Sequence, residues 1–446
     1  MFSMSLAPGE KPGAAQSGLL YYRRPDELKL SFVRFQGCAS VISGGAFALC
    51  LLMPTLAVKH AAANTASAPA KDVVKMKTSS KVFSKPKRHW KYDRGTVLRK
   101  SRFSVLERTK ARGCRGEWLR IAKLAWICSK DTKPTTELPG GRVLPRLKNG
   151  KLLPYRYVVT KDAPVYKTLD DAVAETNGEM LPGIGGYPYR GRKKRDGKRY
   201  VRISKGWIPS TNAKLVRAPK FKGVVLTPAD RNKRLGFIRV SWASLYDRTG
   251  KKLKGTHLRR LHYVELLGPV TVRGRLLYPL KSKPQHLLLA KHVGLVDIQP
   301  KPAEVGDNER WIDINMAEQT LVAYQGKHPL LTTLVSTART VTPKGTFRIE
   351  RKRAFARMKS KPHYTNHWDV HTPWVISIKG RIAMHGVYWH NEFGTARSHG
   401  CVNLSPIDAK WVWDWTEPAL PPGWSRIKSA KGAPGSVVRI RRQKRL

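Results

Sequence analysis

The chain has 446 residues, of which 85 are Lys or Arg and 30 are Asp or Glu, a formal charge of +55 at neutral pH. Hydrophobic residues make up 41%, and the length is about three times that of one ordinary domain, so several apolar cores are expected. The cationic excess calls for anions, and nucleic acid, anionic lipid and anionic cell wall all supply them. The basic residues are spread along the chain without zinc-finger spacing, a Walker loop or an RNA-recognition aromatic motif, so nucleic acid is not expected as a partner.

In chain order, Val41–Leu56 reads VISGGAFALCLLMPTL, without a charge, after Lys29 and Arg34 and before the small residues Ala61, Ala62, Ala63, Ala66, Ser67 and Ala68. Basic, apolar and small residues in that order follow the pattern of a secretory signal, and the stretch is short for a membrane span. Residues 1–70 are therefore read as an export signal or an N-terminal anchor that attaches the chain to a membrane. The expected localisation is exported, in the periplasm or cell envelope. Residues 71–91, rich in Lys and Ser, read as a solvated basic linker.

Five cysteines divide by context: Cys38 and Cys50 in the signal region, Cys114 and Cys128 close together, and Cys401 without a neighbour. In an oxidising compartment a disulfide between Cys114 and Cys128 would close a short loop in a small β domain. Cys401 is either a reactive thiol or an inert buried one.

Three segments share a pattern of apolar run, lysine, short link and apolar run: Gly116–Cys128 (GEWLRIAKLAWIC), Lys198–Pro209 (KRYVRISKGWIP) and Gln285–Ile298 (QHLLLAKHVGLVDI). Short β-runs broken by Gly, Pro, Asp and Asn predict small antiparallel barrels. The first two look like bacterial SH3-like domains and the third resembles them more weakly. This places modules at 92–136, 153–220 and 221–303, with one irregular β domain as the alternative.

From residue 304 to 446 the texture changes. Trp311–Asn315 and Thr320–Gln325 predict two strands around a turn at Met316–Gln319, followed by Leu330–Ser336, Thr346–Glu350, Trp374–Ile378 and Arg381–His385. Ser405-Pro406-Ile407-Asp408 predicts a helix start, with Ser as N-cap and Pro in the first turn. Ile407, Trp411, Val412 and Trp415 would share its packed face. The fold class is mainly β, with a sandwich-like C-terminal domain preceded by small barrel modules.

Within MHGVYWHNEFGTARSHGCVNLSPIDAKWVWDW (Met384–Trp415), His385-Gly386 precedes Ser398-His399-Gly400-Cys401-Val402-Asn403. A thiolate is a strong nucleophile, and a histidine brought beside it can take the thiol proton. Glycine next to a nucleophile lets backbone N–H groups approach an acyl oxyanion. This stretch resembles the active-site signature of the L,D-transpeptidase (YkuD-like) catalytic family. Thr342, Pro343, Gly345 and Phe347 resemble its TPxGxF element, and Pro373-Trp374 its proline–tryptophan element. The resemblance covers about residues 308–440.

The resemblance implies Cys401 as nucleophile, His385 as base and His399 as a further catalytic residue. Gly400, Gly386 and Ser398 would support the oxyanion and the backbone, with the Gly386 carbonyl orienting the imidazole and Gly386 permitting a tight turn. Asn403, Tyr388, Trp389 and Trp374 are candidate substrate contacts, and Phe393 is either core or platform. The implied reaction moves an acyl group from a tetrapeptide stem of peptidoglycan through Cys401 to an amine acceptor, cross-linking the wall. An L,D-carboxypeptidase or an inert wall-binding scaffold is the alternative. Stem peptides and other anionic wall polymers are the expected partners. His385, His390, His399 and Cys401 also have the ligand types of a zinc site, but the resemblance uses them without metal, so neither metal nor cofactor is expected. His363, His367 and His371 are read as a loop beside the groove, and Arg397 as a solvated arginine.

Overall fold

The computed structural model describes residues 72–153, 156–360 and 367–443. The signal or anchor reading of residues 1–70, with Cys38 and Cys50, and the reading of His363 lie outside the described residues.

The stretch 72–83, read as part of a solvated basic linker over 71–91, is instead the start of a β unit, while 84–91 is largely exposed. Val73–Met76 and Ser80–Phe83 are strands, and Val74, Met76 and Val82 are buried against Leu119, Ile121 and Ile127. Apolar residues at strand spacing outweigh the lysines between them, because those lysines point to water on the opposite face. The first β unit thus begins by Val73, and Cys114 and Cys128 are joined in it by a disulfide, Cα to Cα 5.5 Å.

The three N-terminal units share a recurring end: a hairpin, one 3₁₀ turn and a short strand. In the first these are Trp118–Ala122 with Ala125–Cys128, Ser129–Asp131 and Thr132–Pro134. In the second they are Lys198–Ile203 with Gly206–Pro209, Ser210–Asn212 and Ala213–Leu215. In the third they are Arg275–Leu280 with Lys283–Leu289, Ala290–His292 and Val293–Leu295. The sequence pattern matched the third copy one element out of step. Its Ala290-Lys291-His292 is the 3₁₀ turn rather than a hairpin loop.

The C-terminal domain comprises β1 (Arg310–Asn315), β2 (Thr320–Gln325), β3 (His328–Leu334), β4 (Gly345–Arg348), β5 (Arg351–Lys359), β6 (Trp368–Lys379), β7 (Ile382–Gly386), β8 (Val402–Leu404), α1 (Pro406–Trp415), β9 (Trp424–Lys428) and β10 (Val437–Arg441). One sheet runs β3-β2-β1-β10-β4, with Val224–Val225 added at the β3 edge. The other carries β9-β5-β6-β7-β8. Ile312, Ile314, Leu321 and Leu331 of the first sheet share a core with Ile376, Met384, Val402 and Leu404 of the second and with Val412 and Trp413 of α1. The domain is mainly β, as its sequence predicts.

Two of the N-terminal units join this second sheet, one at its β9 edge and one beside the start of β6. The first pairs Gly95–Val97 antiparallel with β9, and the second pairs Ile184–Gly186 parallel with β6. Glycine is needed at both joins. A Cβ on Gly95 would stand 2.2 Å from the Arg426 carbonyl oxygen, and one on Gly183 (φ +67°) 1.9 Å from that of His367.

Two sequence expectations need correction. His371 lies within β6, not in a loop, because the β-formers around it pair with β5. On α1 the buried residues are Pro406, Asp408, Ala409, Val412, Trp413 and Trp415, while Ile407 and Trp411 are only partly covered. The stripe is displaced because Asp408 turns inward to accept hydrogen bonds.

Candidate active site

Strand alternation assembles the site. Along β7, Met384 faces the core, so Ala383 and His385 face the other way. Along β8, Val402 and Leu404 face the core, which puts Asn403 on the outer face and Cys401, just before the strand, on the same side. The parallel register sets His385 beside Asn403. Cys401 packs against Ala383, Val375, Ala356 and Met358, and is the only cysteine among the described residues outside the disulfide.

His385 is buried, and its Nδ1 faces the Gly386 carbonyl oxygen at 3.4 Å. That contact places the ring proton on Nδ1 and leaves Nε2 as the basic nitrogen. Trp389 covers the ring, with centroids 6.1 Å apart and planes 30° apart. Burial pushes the imidazole pKa down to about 4, and burial also pushes the Cys401 thiol up. At neutral pH the resting pair is therefore neutral thiol and neutral imidazole, not a preformed ion pair. The thiol donates to the Arg381 carbonyl oxygen at 3.8 Å, and among the described residues it makes no hydrogen bond to His385.

The loop before the cysteine is held by short-range polar contacts. The Ser398 hydroxyl donates to the Cys401 carbonyl and accepts from the Gly400 N–H at 2.9 Å. The Thr342 hydroxyl donates to the Gly400 carbonyl at 2.9 Å and accepts from the Ala338 N–H at 2.9 Å. Gly400 has φ +138°, a backbone shape that other residues rarely adopt. Its N–H is occupied by Ser398, so the N–H groups of His399 and Cys401, which have no partner among the described residues, are the ones left to meet an oxyanion. The backbone N–H of Ser398 donates to the Thr337 carbonyl, and Thr337 is locked in turn by the Gln319 side chain through bonds of 2.7 and 2.8 Å.

Asn403 meets His390 Nε2 at 3.2 Å and exchanges backbone hydrogen bonds with Ser336. His390 accepts the Glu392 N–H on Nδ1, and burial carries its pKa down to about 4. His399 is exposed and stands against Trp368, with ring centroids 5.5 Å apart. Arg397 pairs with Glu392.

Three expectations change. Trp374 is 1% exposed and belongs to the core, as does Tyr388, whose ring packs on Tyr157 at 4.5 Å and whose hydroxyl donates to the His371 carbonyl. Neither presents a face to a ligand, because each fills space between the sheet and the second N-terminal unit or α1. Phe393 is likewise buried, stacked on Phe221. Gly386 makes no turn. It lies inside β7, where a Cβ would crowd Trp374 and Ala409 at 3.1 and 3.3 Å. Among the described residues no group of three His, Cys, Asp or Glu is gathered as a metal site.

Sequence reasoning missed Gln319 and Thr337, and it read Asp408 only as part of a helix start, because no local pattern records its burial. Asp408 accepts from the Gly223 N–H at 2.8 Å and from the hydroxyls of Thr333 and Ser405 at 2.6 and 2.9 Å, fixing α1 to β3 and to the segment entering the third unit.

Fold and site thus define a mainly β domain with a buried histidine on one strand and a free cysteine just before the strand beside it. Residues 309–440 match the model of the YkuD family, the L,D-transpeptidase catalytic domain. A similar protein is YciB of Bacillus subtilis (strain 168), which carries an L,D-transpeptidase name. It is 30% identical over 123 residues, covering 23% of this chain and 59% of YciB, so the chain spans less than two thirds of that relative. Among solved structures, an L,D-transpeptidase from Stackebrandtia nassauensis is 20% identical, covering 32% of this chain and 59% of its own, with a TM-score of 0.23. One from Mycobacterium smegmatis is 13% identical, covering 57% and 98%, with a TM-score of 0.25. Over the whole chain these structural likenesses are too slight to bear on function.

Proposed function

We propose that this protein is an exported L,D-transpeptidase that cross-links peptidoglycan by cysteine acyl transfer. The observation that carries this reading is the common face of His385 and Cys401, with the nucleophile loop held by Ser398 and Thr342. The thiol of Cys401 attacks the carbonyl before the terminal D-residue of a tetrapeptide stem, forming the S–C bond as its proton passes to Nε2 of His385. The N–H groups of His399 and Cys401 receive the oxyanion. Collapse breaks the C–N bond, the imidazolium protonates the leaving D-amino acid, and an amine of a second stem then takes the acyl group from sulfur. The N-terminal apolar segment supports export, and the charge of +55 supports attraction to anionic wall polymers.

Because the resting thiol bonds to the Arg381 carbonyl and, among the described residues, not to His385, substrate must bring thiol and imidazole together. Catalytic hydrogen bonds commonly tighten only in the complex. The test is intact-mass analysis of the full chain with a carbapenem, beside Cys401→Ala, followed by mass spectrometry of products from tetrapeptide stems. A covalent adduct on the wild type only, with release of the D-amino acid and a cross-linked dimer, supports the proposal. Release without a dimer indicates water as acceptor and refutes cross-linking. No adduct on folded protein refutes the enzyme.

A further inference from the structure

A groove of about 630 Å³ lies beside the nucleophile loop, lined by Arg239 of the third N-terminal unit and by Ala317, Gln319, Arg339, Gly394 and Arg442 of the C-terminal domain among others. Three arginines line it, and among the described residues no carboxylate does. Arg239 is held in place: its Nε donates to the Lys291 carbonyl and its Nη1 to the Ala317 carbonyl, each at 3.1 Å, leaving Nη2 uncommitted. Arg442 uses Nη1 on the Arg339 carbonyl at 2.9 Å. Among the described residues none of the three guanidinium groups is in an ion pair, although the chain pairs many other arginines.

The groove is mechanically joined to Cys401. Its Gln319 locks Thr337, whose carbonyl holds the Ser398 N–H. Its Gly394 lies so close to the third unit that a Cβ there would stand 2.8 Å from Cβ of Arg239. An anchored Arg239 beside two further guanidinium groups outside any ion pair offers the forked donors that recognise a carboxylate or phosphate.

We propose that this groove is a subsite for an oxyanionic group, carboxylate or phosphate, on a ligand that extends to the Cys401 site, with the third N-terminal unit supplying Arg239 to it. Only the extension to Cys401 rests on the acyl-transfer reading; the anion site does not.

The full chain is titrated calorimetrically at fixed ionic strength with inorganic pyrophosphate and, separately, with tricarballylate. Saturable one-site binding of at least one probe is expected, weakened at least tenfold in Arg239→Gln/Arg442→Gln. The variant Arg192→Gln, which removes an exposed charge from the second unit, should bind as the wild type does. If the double variant does not fold, Arg442→Gln alone should weaken binding at least threefold. Preference for pyrophosphate points to a phosphate-bearing polymer, and preference for tricarballylate to a peptide carboxylate. Absence of saturable binding by the wild type, or equal binding by the groove variants and Arg192→Gln, overturns the proposal. Cys401→Ala should bind either probe normally, so failure of the anion site and failure of the acyl-transfer reading are read separately.

Discussion

Replacing Thr342 by Val tests whether the nucleophile loop is held by one buried hydroxyl. Thr342 is 2% exposed and bridges the Gly400 carbonyl and the Ala338 N–H, each at 2.9 Å. Valine keeps the shape but satisfies neither group. Each orphaned buried backbone group costs about 1–3 kcal/mol, so the fold must either bear that loss or shift Gly400 towards another partner. A shift that raises the acylation barrier by about 1.4–2.7 kcal/mol slows the reaction roughly 10- to 100-fold. The assay is the rate of Cys401 acylation by a carbapenem, followed by intact mass, with thermal melting of the same samples. Slower acylation with a lower melting temperature is expected. Wild-type acylation in a variant of unchanged stability would refute the assignment of Thr342 to the loop.

Four further outcomes follow from the same structure. With His385 pushed down to about 4 and the Cys401 thiol pushed up, acylation should be flat between about pH 5.5 and 8 and fall below pH 5; a midpoint near 6.5 in the pH–rate profile would contradict a buried neutral base. Burial raises Asp408 from 3.8 to about 6, so from pH 4 to 6.5 the unfolded state ionises first and stability is lost as pH rises, by roughly 3 kcal/mol. Denaturant titration should show the wild type losing that advantage over Asp408→Asn across this window, and parallel curves would argue against it. Lys352, wholly buried with Nζ on the carbonyls of Trp413 and Thr416, is pushed down to about 7. The folded state then binds fewer protons than the unfolded state above pH 7, so stability should rise from pH 7 towards 10 in the wild type but not in Lys352→Met. Gly95→Val should detach the first unit from β9, seen as protease cleavage within residues 72–134; resistance equal to wild type would refute the edge-pairing argument.

Much of the site is local in the sequence and was legible there. Ser398 to Asn403 carry the nucleophile, its glycine and its neighbouring polar groups within six residues, and Ser405-Pro406 announces the helix through capping chemistry. Runs of β-branched and aromatic residues in Trp311–Asn315 and Thr320–Gln325, set either side of a short turn, announce strands. β5 was missed because its buried positions are Lys352, Ala354 and Ala356, which do not read as an apolar face. The first strands read as a linker in sequence because lysines dilute the apolar residues among them.

The residue types and spacing by themselves determined that a cysteine and a histidine could act together, that Cys114 and Cys128 stood close enough to pair, and that the chain is mainly β. Only the tertiary structure decided that Tyr388 and Trp374 are core, that thiol and imidazole rest neutral, and that units far apart in the chain complete the catalytic sheet and its arginine groove. Burial and long-range pairing set these outcomes, since a side chain's solvation depends on which distant segments cover it, and no local pattern records that.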